Sequence, residues 1–434
     1  MIAEVRLWGR TIGAISTEDG GRHAAFQFTA EFAESGIQVA PLMLPLNRRV
    51  YEFPELPRRT FHGLPGLLAD SLPDRFGNAL IDAWLATTGR TPESFSPIER
   101  LCYTGARGMG ALEFAPALGP KPRRATRIDI DALVTLASDI LSERRNLKGK
   151  LSAAGRKKAL ADILKVGTSA GGARAKAVIA WNRTTNEVRS GQIAAGPGFS
   201  YWLLKFDGVA GNKDKELDDP QGYGAIEYAY SLMARAAGIT MSECRLLEEH
   251  GRRHFMTRRF DRLPDGGRLH MQSLGALAHF DYNQPGAYSY EQAFLAIRQL
   301  DLPMAALEEQ FRRMLFNIVA RNQDDHVKNI AFLMDREGQW SLAPAFDITY
   351  SYNPSGDWTA THQMTVNGKR DGFVMADVRA VAKSAGLKRG RAEALYEEVR
   401  AAVVGWRDFA AKAKLGADLA EKLRRAQRLE LRTS

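Results

Sequence analysis

The sequence predicts an α+β protein that is divided into two to three subdomains. Its 434 residues exceed the size at which a single hydrophobic core usually stops growing. Apolar residues make up 45% and charged residues 25%, which is the composition of an ordinary globular protein. Short strand-like segments dominate the N-terminal part, whereas most of the chain from residue 289 onward shows helical periodicity. We therefore expect sheet-rich regions first and a helical region last.

The N-terminal part is expected to form a small antiparallel sheet followed by a helix. Residues 2–45 mix short alternating segments with turn residues, a pattern typical of hairpin-linked strands. Further along, Asp74 stands where a helix cap is expected. Apolar residues then follow at helical spacing: Phe76, Leu80, Ile81 and Trp84. The segment should be a helix with one apolar face.

A proline-rich, basic stretch at residues 119–124 predicts a linker, because two closely spaced prolines interrupt both helix and sheet. Beyond it, residues 125–262 alternate helical with strand-like stretches. The last part is helical apart from one predicted hairpin. The expected regions are therefore residues 1–120, residues 125–262 and residues 270–434.

The net charge of +10 favours a polyanionic partner such as ATP, DNA or RNA, although it is modest for a chain of this length. Between Glu143 and Lys176, ten basic residues face two acidic ones. We favour a solvated connector there, and a nucleic-acid patch remains the alternative.

The first ten residues contain Glu4, Arg6 and Arg10, so they do not form the apolar stretch of a secretory signal. No apolar run approaches the roughly 20 residues that are needed to span a bilayer. We expect a cytoplasmic protein with no membrane partner. Cys102 and Cys244 are far apart in sequence and are expected to be free thiols.

Two polar clusters flank the predicted hairpin. Residues 322–329 read NQDDHVKN, and the segment Ala345-Phe346-Asp347 follows the second strand. A turn centred near residues 336–337 would bring Asn329 opposite about Pro344, within a few residues of Asp347. The hairpin should therefore gather polar side chains from both clusters at one end.

Phosphoryl transfer requires groups of this kind. A carboxylate orients the attacking hydroxyl and accepts its proton, while an Asn oxygen and a second carboxylate hold magnesium. The order Asp324, Asn329, Asp347 matches a kinase catalytic loop followed by a metal-binding aspartate. Each residue alone is more often a cap or turn residue, but the ordered set predicts catalysis.

A strand lysine and a helix glutamate complete the set. In the segment FSYWLLKF, Lys205 shares one strand face with Tyr201 and Leu203, where an ammonium group needs an anion. Glu227 is a candidate partner on a predicted helix that should stop at Gly238.

A loop of small residues lies at positions 167–176, before the strand AKAVIAW. Small residues let backbone N–H groups approach phosphate closely. The loop is not a Walker sequence, because Gly172 is followed by Ala-Arg instead of Lys-Ser/Thr. Alone, the pattern indicates no more than a loop.

With these motifs in order, the chain resembles the HipA family of bacterial toxin kinases. The motifs are GLPGLLADSLPDRFGN, SAGGARAK, the strand lysine, RRFDR, N-x-D-D-H-x-K-N and PAFDITYS. The resemblance implies a protein-kinase-like fold of two lobes with an extra N-terminal β-rich subdomain and a helical C-lobe. It also implies an ATP- and magnesium-dependent serine/threonine kinase of a type II toxin–antitoxin system.

The resemblance implies that Asp324 is the catalytic base, Asn329 and Asp347 are magnesium ligands, and Lys205 binds phosphate. The implied ATP-binding residues are Gly171, Gly172, Ala173, Arg174, Ala175, Lys176, Lys205, Arg258, Arg259, Phe260, His326, Val327, Lys328, Asn329, Phe346 and Asp347. Ser169 stands at the position of a self-phosphorylated serine. Arg258 replaces an acidic hinge residue that is often found in the family, so backbone contacts to adenine are the ones expected there.

The resemblance further implies a protein substrate from the translation machinery, such as an aminoacyl-tRNA synthetase. It also implies a helix-turn-helix antitoxin partner, with DNA contact through the antitoxin complex. A nucleic-acid-binding regulator with a vestigial kinase site is an alternative, supported by the basic connector and the basic tail at residues 422–432. The complete set of key side chains argues against it. A small-molecule phosphotransferase would need the same catalytic parts and stays open.

Overall fold

The computed structural model describes residues 1–18, 21–119, 127–142, 163–164, 174–209, 213–214, 217–218 and 222–432. Most of the predicted linker and of the basic segment before Lys176 lies outside these ranges. Within them, antiparallel sheets and helices are both abundant, which confirms the α+β class.

A five-stranded antiparallel sheet forms the N-terminal region, with strand order β4-β3-β2-β1-β5. Its strands are β1 Ile2–Leu7, β2 Arg10–Ser16, β3 Ala25–Phe28, β4 Val50–Tyr51 and β5 Leu112–Ala115. Alternate residues of β1 point into the core, as expected for a sheet with one buried face. The sheet predicted for residues 2–45 is confirmed, and β4 and β5 extend it. The short helices are α1 Ala30–Ala33, α2 Arg58–Phe61 and α3 Gly66–Ala69.

A second five-stranded antiparallel sheet lies in the middle of the chain, with strand order β11-β12-β8-β6-β7. Its strands are β6 Lys176–Asn182, β7 Val188–Ser190, β8 Phe199–Lys205, β11 Cys244–Glu249 and β12 Arg252–Arg258. The short strands β9 Lys213–Asp214 and β10 Leu217–Asp218 pair separately. Along β8, Trp202 and Leu204 are buried on one face, so Lys205 lies on the opposite face, as predicted.

Three longer helices pack near this sheet: α4 Arg75–Thr87, α6 Ile130–Ser142 and α7 Tyr223–Ala236, whereas α5 Pro97–Thr104 packs against β1 and β5 of the N-terminal sheet. Helix α4 begins at the predicted cap, where Asp74 accepts a hydrogen bond from Gly77 N at 2.7 Å. Its apolar face is buried in the same core as β6 and β8, so this core includes residues from both sides of the predicted linker. Helix α7 ends before Gly238, whose φ of +80° suits glycine.

The C-terminal region is mainly helical. Its helices are α8 Leu274–Leu277, α9 Tyr290–Gln299, α10 Met304–Ala320, α11 Met375–Ser384, α12 Arg391–Val404, α13 Trp406–Lys412 and α14 Ala417–Ala426. Single 3-10 turns occur at Pro92–Ser94 and Val327–Asn329. The largest apolar core of the described residues joins α7 to these helices.

The predicted hairpin is present as β14 Ala331–Met334 and β15 Trp340–Leu342. Phe332 pairs with Leu342, so the ladder runs one residue out of the predicted register, in which Asn329 stood opposite Pro344. A third strand, β13 His270–Ser273, pairs with β14. Sequence patterns do not reveal this strand, because a four-residue strand pairs through the tertiary fold and carries little pattern of its own.

The N-terminal region is hydrogen-bonded directly to the C-terminal region. Gly66 N donates to His279 Nε2 at 2.9 Å, and Ser273 N and Oγ donate to Asp70 at 2.8 and 2.9 Å. A Cβ atom at Gly66 would stand 2.2 Å from the Ala276 carbonyl oxygen, so a larger residue would force the two regions apart. The regions therefore pack against each other closely.

Cys102 and Cys244 are buried free thiols, as predicted. Among the helices of the described residues, none combines the length and the apolar character that crossing a membrane requires.

Candidate functional site

Lys205 lies at the centre of a partly buried charge cluster. Its ammonium nitrogen is 2.6 Å from Glu227 Oε1 and 2.5 Å from Asp347 Oδ1. The three residues come from β8, from α7 and from the segment after β15, so the fold brings strand, helix and hairpin side chains together. The ion pair that the sequence suggested between Lys205 and Glu227 is present, and Asp347 joins it.

Within this cluster, burial and neighbouring residues of opposite charge shift the pKa of each group in opposite directions. Burial alone would raise the pKa of Asp347, but the Lys205 ammonium outweighs burial and lowers that pKa to about 2. Burial opposes the charge on Lys205 too, yet Asp347 and Glu227 raise its pKa above the usual range. For Glu227, burial exceeds the attraction of Lys205, and its pKa rises. The cluster therefore holds a charged Lys205 against a charged Asp347.

Asp324 lies in the loop that follows α10. Its carboxylate accepts a hydrogen bond from Trp358 Nε1 at 2.6 Å, and its backbone N–H donates to Ser351 Oγ at 3.1 Å. Its backbone carbonyl accepts from Asn329 Nδ2 at 2.9 Å. The loop is thus tied down on both sides of Asp324, while 20% of the Asp324 side chain stays exposed. A fixed, partly exposed carboxylate suits a group that must meet a substrate.

Asn329 and Asp347 line one cavity together with His326 and Phe346. Because the amide nitrogen of Asn329 is used by Asp324, its amide oxygen is the end that remains for a cation. Oxygen atoms from an Asn and an Asp are ligands that Mg²⁺ prefers. No cluster of three or more His, Cys, Asp or Glu suited to a metal occurs in the described part of the chain. A divalent ion here would need water or phosphate oxygens as further ligands, which is usual for Mg²⁺.

Asp325, the neighbour of Asp324, is buried and lines the same cavity as Asn329 and Asp347. Its carboxylate accepts hydrogen bonds from Tyr290 Oη at 2.7 Å, from His362 Nδ1 at 2.9 Å and from Gln363 N at 2.8 Å. Burial alone would raise the pKa of Asp325, but His362 and these hydrogen bonds lower it below the usual range. Asp325 is therefore a buried, charged anchor.

A chain of hydrogen bonds runs from this anchor to Asp324. Asn317 Nδ2 donates to Tyr290 Oη, and Asn322 Nδ2 donates to Asn317 Oδ1, both at 2.9 Å. Ser351 Oγ then donates to Asn322 Oδ1 at 2.9 Å and accepts from Asp324 N. Asn322 and Asp325 belong to the segment NQDDHVKN and Ser351 to the motif PAFDITYS, whereas no sequence pattern marks Tyr290 or Asn317. The bonds among them join separate segments of the chain, which spacing along the sequence does not reveal.

The residues predicted to form the hinge, 258–260, have different surroundings. Arg258 is exposed at the end of β12, whereas the Arg259 guanidinium is buried and bonded to Asp261 at 2.6 and 2.9 Å. It also donates to the Gly108 carbonyl oxygen at 3.2 Å. The Phe260 ring lies 5.9 Å from the Phe346 ring, between centroids. The aromatic pair offers an apolar surface, while the Arg259 side chain connects the segment after β12 to the N-terminal region.

Ser169, Gly171, Gly172 and Ala173 lie outside the described residues. Of the rest of that loop, the Arg174 guanidinium carbon lies 3.3 Å from the centroid of the Tyr223 ring, and Ala175 is fully buried.

Residues 326–328 were predicted to contact the nucleotide, but their side chains point in different directions. His326 Nε2 is 3.9 Å from Asp324 Oδ1, on the cavity side. The Val327 side chain is buried in the C-terminal core, so its backbone is the part available to a ligand. Lys328 Nζ lies 5.2 Å from the centroid of the Tyr282 ring, in a second pocket that Thr60 also lines.

Two family matches cover most of the chain. Residues 3–115 match the family described as HipA N-terminal domain, and residues 168–406 match HipA-like C-terminal domain. The second match alone spans more than half of the sequence.

Among solved structures, the chain is similar to HipA of Shewanella oneidensis MR-1, determined in complex with HipB and operator DNA. The match has a TM-score of 0.67 at 17% identity and covers 97% of this chain and 94% of that chain. The likeness confirms the expected HipA-like α+β fold. A match to the Helicobacter pylori kinase CtkA has a TM-score of 0.31 at 12% identity and covers 50% of this chain and 91% of that chain.

A curated relative, putative kinase Y4mE of Sinorhizobium fredii, is 26% identical over 125 residues. The aligned part makes up 27% of this chain, which spans 30% of the length of that relative.

Proposed function

The chain belongs to the HipA family, and we propose that it is an ATP- and magnesium-dependent protein kinase that phosphorylates serine or threonine hydroxyls. One observation carries this proposal. Lys205, Glu227 and Asp347 meet within hydrogen-bonding distance, beside a cavity that Asn329 also lines. Phosphoryl transfer depends on positioning and charge, and this cluster supplies both.

Asp324 is proposed as the group that orients the acceptor hydroxyl and takes its proton. Its backbone is held by Ser351 and Asn329, and its carboxylate by Trp358, so it needs little reorganisation before reaction. The side chain is also partly exposed, which allows a hydroxyl to reach it.

Asn329 and Asp347 are the residues proposed to hold magnesium, which when bound neutralises charge on the transferred phosphoryl group. Lys205 is proposed to bind phosphate oxygens and to be oriented by Glu227. Since Lys205 is bonded to Asp347 here, nucleotide binding would exchange that contact for a phosphate contact, while Glu227 keeps the ammonium in place. Phe260 and Phe346 would give the adenine ring an apolar surface.

We also propose that the kinase acts as a growth-arresting toxin and phosphorylates a component of translation such as an aminoacyl-tRNA synthetase. The HipA of Shewanella oneidensis is assembled with HipB and operator DNA, which supports an antitoxin partner and DNA contact for this chain as well. Self-phosphorylation at Ser169 is part of the proposal. It would add roughly −1.5 to −2 charges to a loop that is expected to bind another anion.

Expression of this chain without an antitoxin tests the proposal. Wild-type protein should arrest growth with a fall in translation, and Asp324→Asn protein at the same level should not. Phosphopeptide mapping after incubation with Mg-ATP should find phosphate at Ser169 in the wild type alone. Equal growth arrest by both proteins would favour the nucleic-acid-binding alternative, and transfer to a small molecule without protein labelling would favour a small-molecule phosphotransferase.

A further inference from the structure

A second lysine, which is more deeply buried, stands beside Lys205. Lys176, the first residue of β6, is opposite Lys205 in the pairing of β6 with β8. Its ammonium is 3.3 Å from Asp74 Oδ2, and both side chains are 3% exposed. Asp74 belongs to the N-terminal region, where it caps α4. An ion pair thus connects that region to the end of the loop expected to bind phosphate.

Asp74 uses its two carboxylate oxygens for different tasks. Oδ1 accepts from Gly77 N at 2.7 Å, and Oδ2 faces Lys176. The first bond fixes the carboxylate to the backbone of α4, whose apolar face is buried. Lysine has a long flexible side chain, so a fixed anion restricts where its ammonium can lie. Helix α4 therefore anchors the Lys176 ammonium.

The two lysines are balanced by separate carboxylates. Lys205 is paired with Glu227 and Asp347, and Lys176 with Asp74. Because Lys176 and Lys205 are directly opposite each other on neighbouring strands, Lys176 stands next to the cluster that contains Asp347. It is held there from the other side by Asp74.

We propose that Asp74 is a positioning residue that holds the Lys176 ammonium toward the phosphates of a bound nucleoside triphosphate. Through this pair the N-terminal region contributes to Mg-ATP affinity without touching the nucleotide. The inference rests on the proposed function, because it requires a triphosphate beside Lys205.

The Asp74→Ser variant removes the ion pair with Lys176 but keeps a side chain that can cap helix α4. Serine caps helices about as well as aspartate does, but it carries no charge. Calorimetry with Mg-ATP should show about tenfold weaker binding to Asp74→Ser protein, since truncating one partner of a buried pair leaves the other misplaced. With saturating nucleotide, kcat should stay within about threefold of the wild-type value, because the proton-accepting carboxylate is untouched.

Two further variants complete the test. Asp82→Ser removes a more exposed carboxylate from the same helix and should bind Mg-ATP like the wild type. Lys176→Met should weaken binding at least as much as Asp74→Ser, and the double variant should be no weaker than Lys176→Met alone, because Asp74 acts through Lys176. Urea unfolding checks that each variant is folded under the assay conditions.

Wild-type affinity in Asp74→Ser protein would overturn the inference, even if that protein were less stable, because the pair would then serve folding alone. Tighter binding would overturn it as well, since Asp74 would then compete with the nucleotide for Lys176. Additive losses in the double variant would show that Asp74 acts by another route. If the wild-type protein itself bound no Mg-ATP, the proposed function would fail, and this inference with it.

Discussion

In the cluster proposed to bind nucleotide, one ammonium group, that of Lys205, is shared by two carboxylates. In the proposed catalytic loop, one carboxylate, that of Asp325, is shared by a tyrosine hydroxyl, a histidine ring and a backbone N–H. The first arrangement consists of ion pairs in which the Asp347 side chain stays partly exposed. The second is a fully buried network of directional hydrogen bonds that reaches Asp324 through Asn322 and Ser351.

The difference concerns which region can rearrange. Ions can exchange partners when a magnesium ion and phosphates bring new charges, so the Lys205 cluster is suited to accept a ligand. A buried hydrogen-bond network cannot release a member without leaving polar groups unsatisfied. We therefore expect substitutions in the cluster to change nucleotide affinity, and substitutions in the network to change reaction rate and stability.

Asp347→Ala should give the largest change in affinity. It removes a proposed magnesium ligand, and Mg-ATP binding should weaken by about a hundredfold. Lys205 keeps Glu227 as its partner, so binding of ATP in the presence of EDTA should change far less. Calorimetry under both conditions measures the difference, with the exposed Asp357→Ala as control. An unchanged affinity for Mg-ATP would show that Asp347 is not a metal ligand.

Unlike Asp347→Ala, Tyr290→Phe should lower stability and kcat while it leaves the KM for ATP nearly unchanged. It removes the hydroxyl that bonds both Asp325 and Asn317, and the free energy of unfolding should fall by about 1–3 kcal/mol. A displaced loop should lower kcat by about tenfold while the KM for ATP stays nearly constant. Urea unfolding and steady-state kinetics measure these quantities, with Tyr228→Phe on α7 as the matched control. A raised KM with normal kcat would remove the distinction between the two regions.

The smallest expected effect is the pH dependence of the Asp347 contact. The pKa of Asp347 is about 2 in the folded protein, below the usual value of 3.8. A lowered carboxyl pKa means that the pair with Lys205 stabilises the fold above about pH 4 and that this contribution is lost as the pH falls toward 2. The difference in unfolding free energy between wild type and Asp347→Asn should therefore be constant near neutral pH and shrink below pH 4. A difference that grows on acidification would contradict this sign.

Local sequence patterns correctly predicted those features of the site that lie within a single strand, helix or hairpin. Strand alternation put Lys205 on the correct face, a helix stop located the end of α7, and the hairpin carried Asn329 toward Asp347. The contacts that join separate regions left no such pattern. Lys176 meets Asp74 and Asp325 meets His362 through tertiary packing, which spacing along the chain does not encode.

The predicted adenine contact of Arg259 also depends on tertiary packing that local sequence patterns do not encode. Arg259 was expected to frame adenine, yet its guanidinium is used by Asp261 and Gly108, a pairing that requires the N-terminal region to pack on the hinge. The family resemblance predicts that Arg259 belongs to a hinge, but it does not give the direction of the side chain.

Transfer of labelled γ-phosphate from Mg-ATP by wild-type and Asp324→Asn proteins is the most direct measurement of the proposed catalysis. The wild type should label protein serine or threonine residues and lose this activity with EDTA. Asp324→Asn should bind Mg-ATP with nearly wild-type affinity yet transfer phosphate about 10² to 10⁴ times more slowly, because it lacks the proton-accepting carboxylate. Transfer by Asp324→Asn at the wild-type rate, or no transfer by wild-type protein that binds Mg-ATP, would contradict the assignment of this site as a kinase centre.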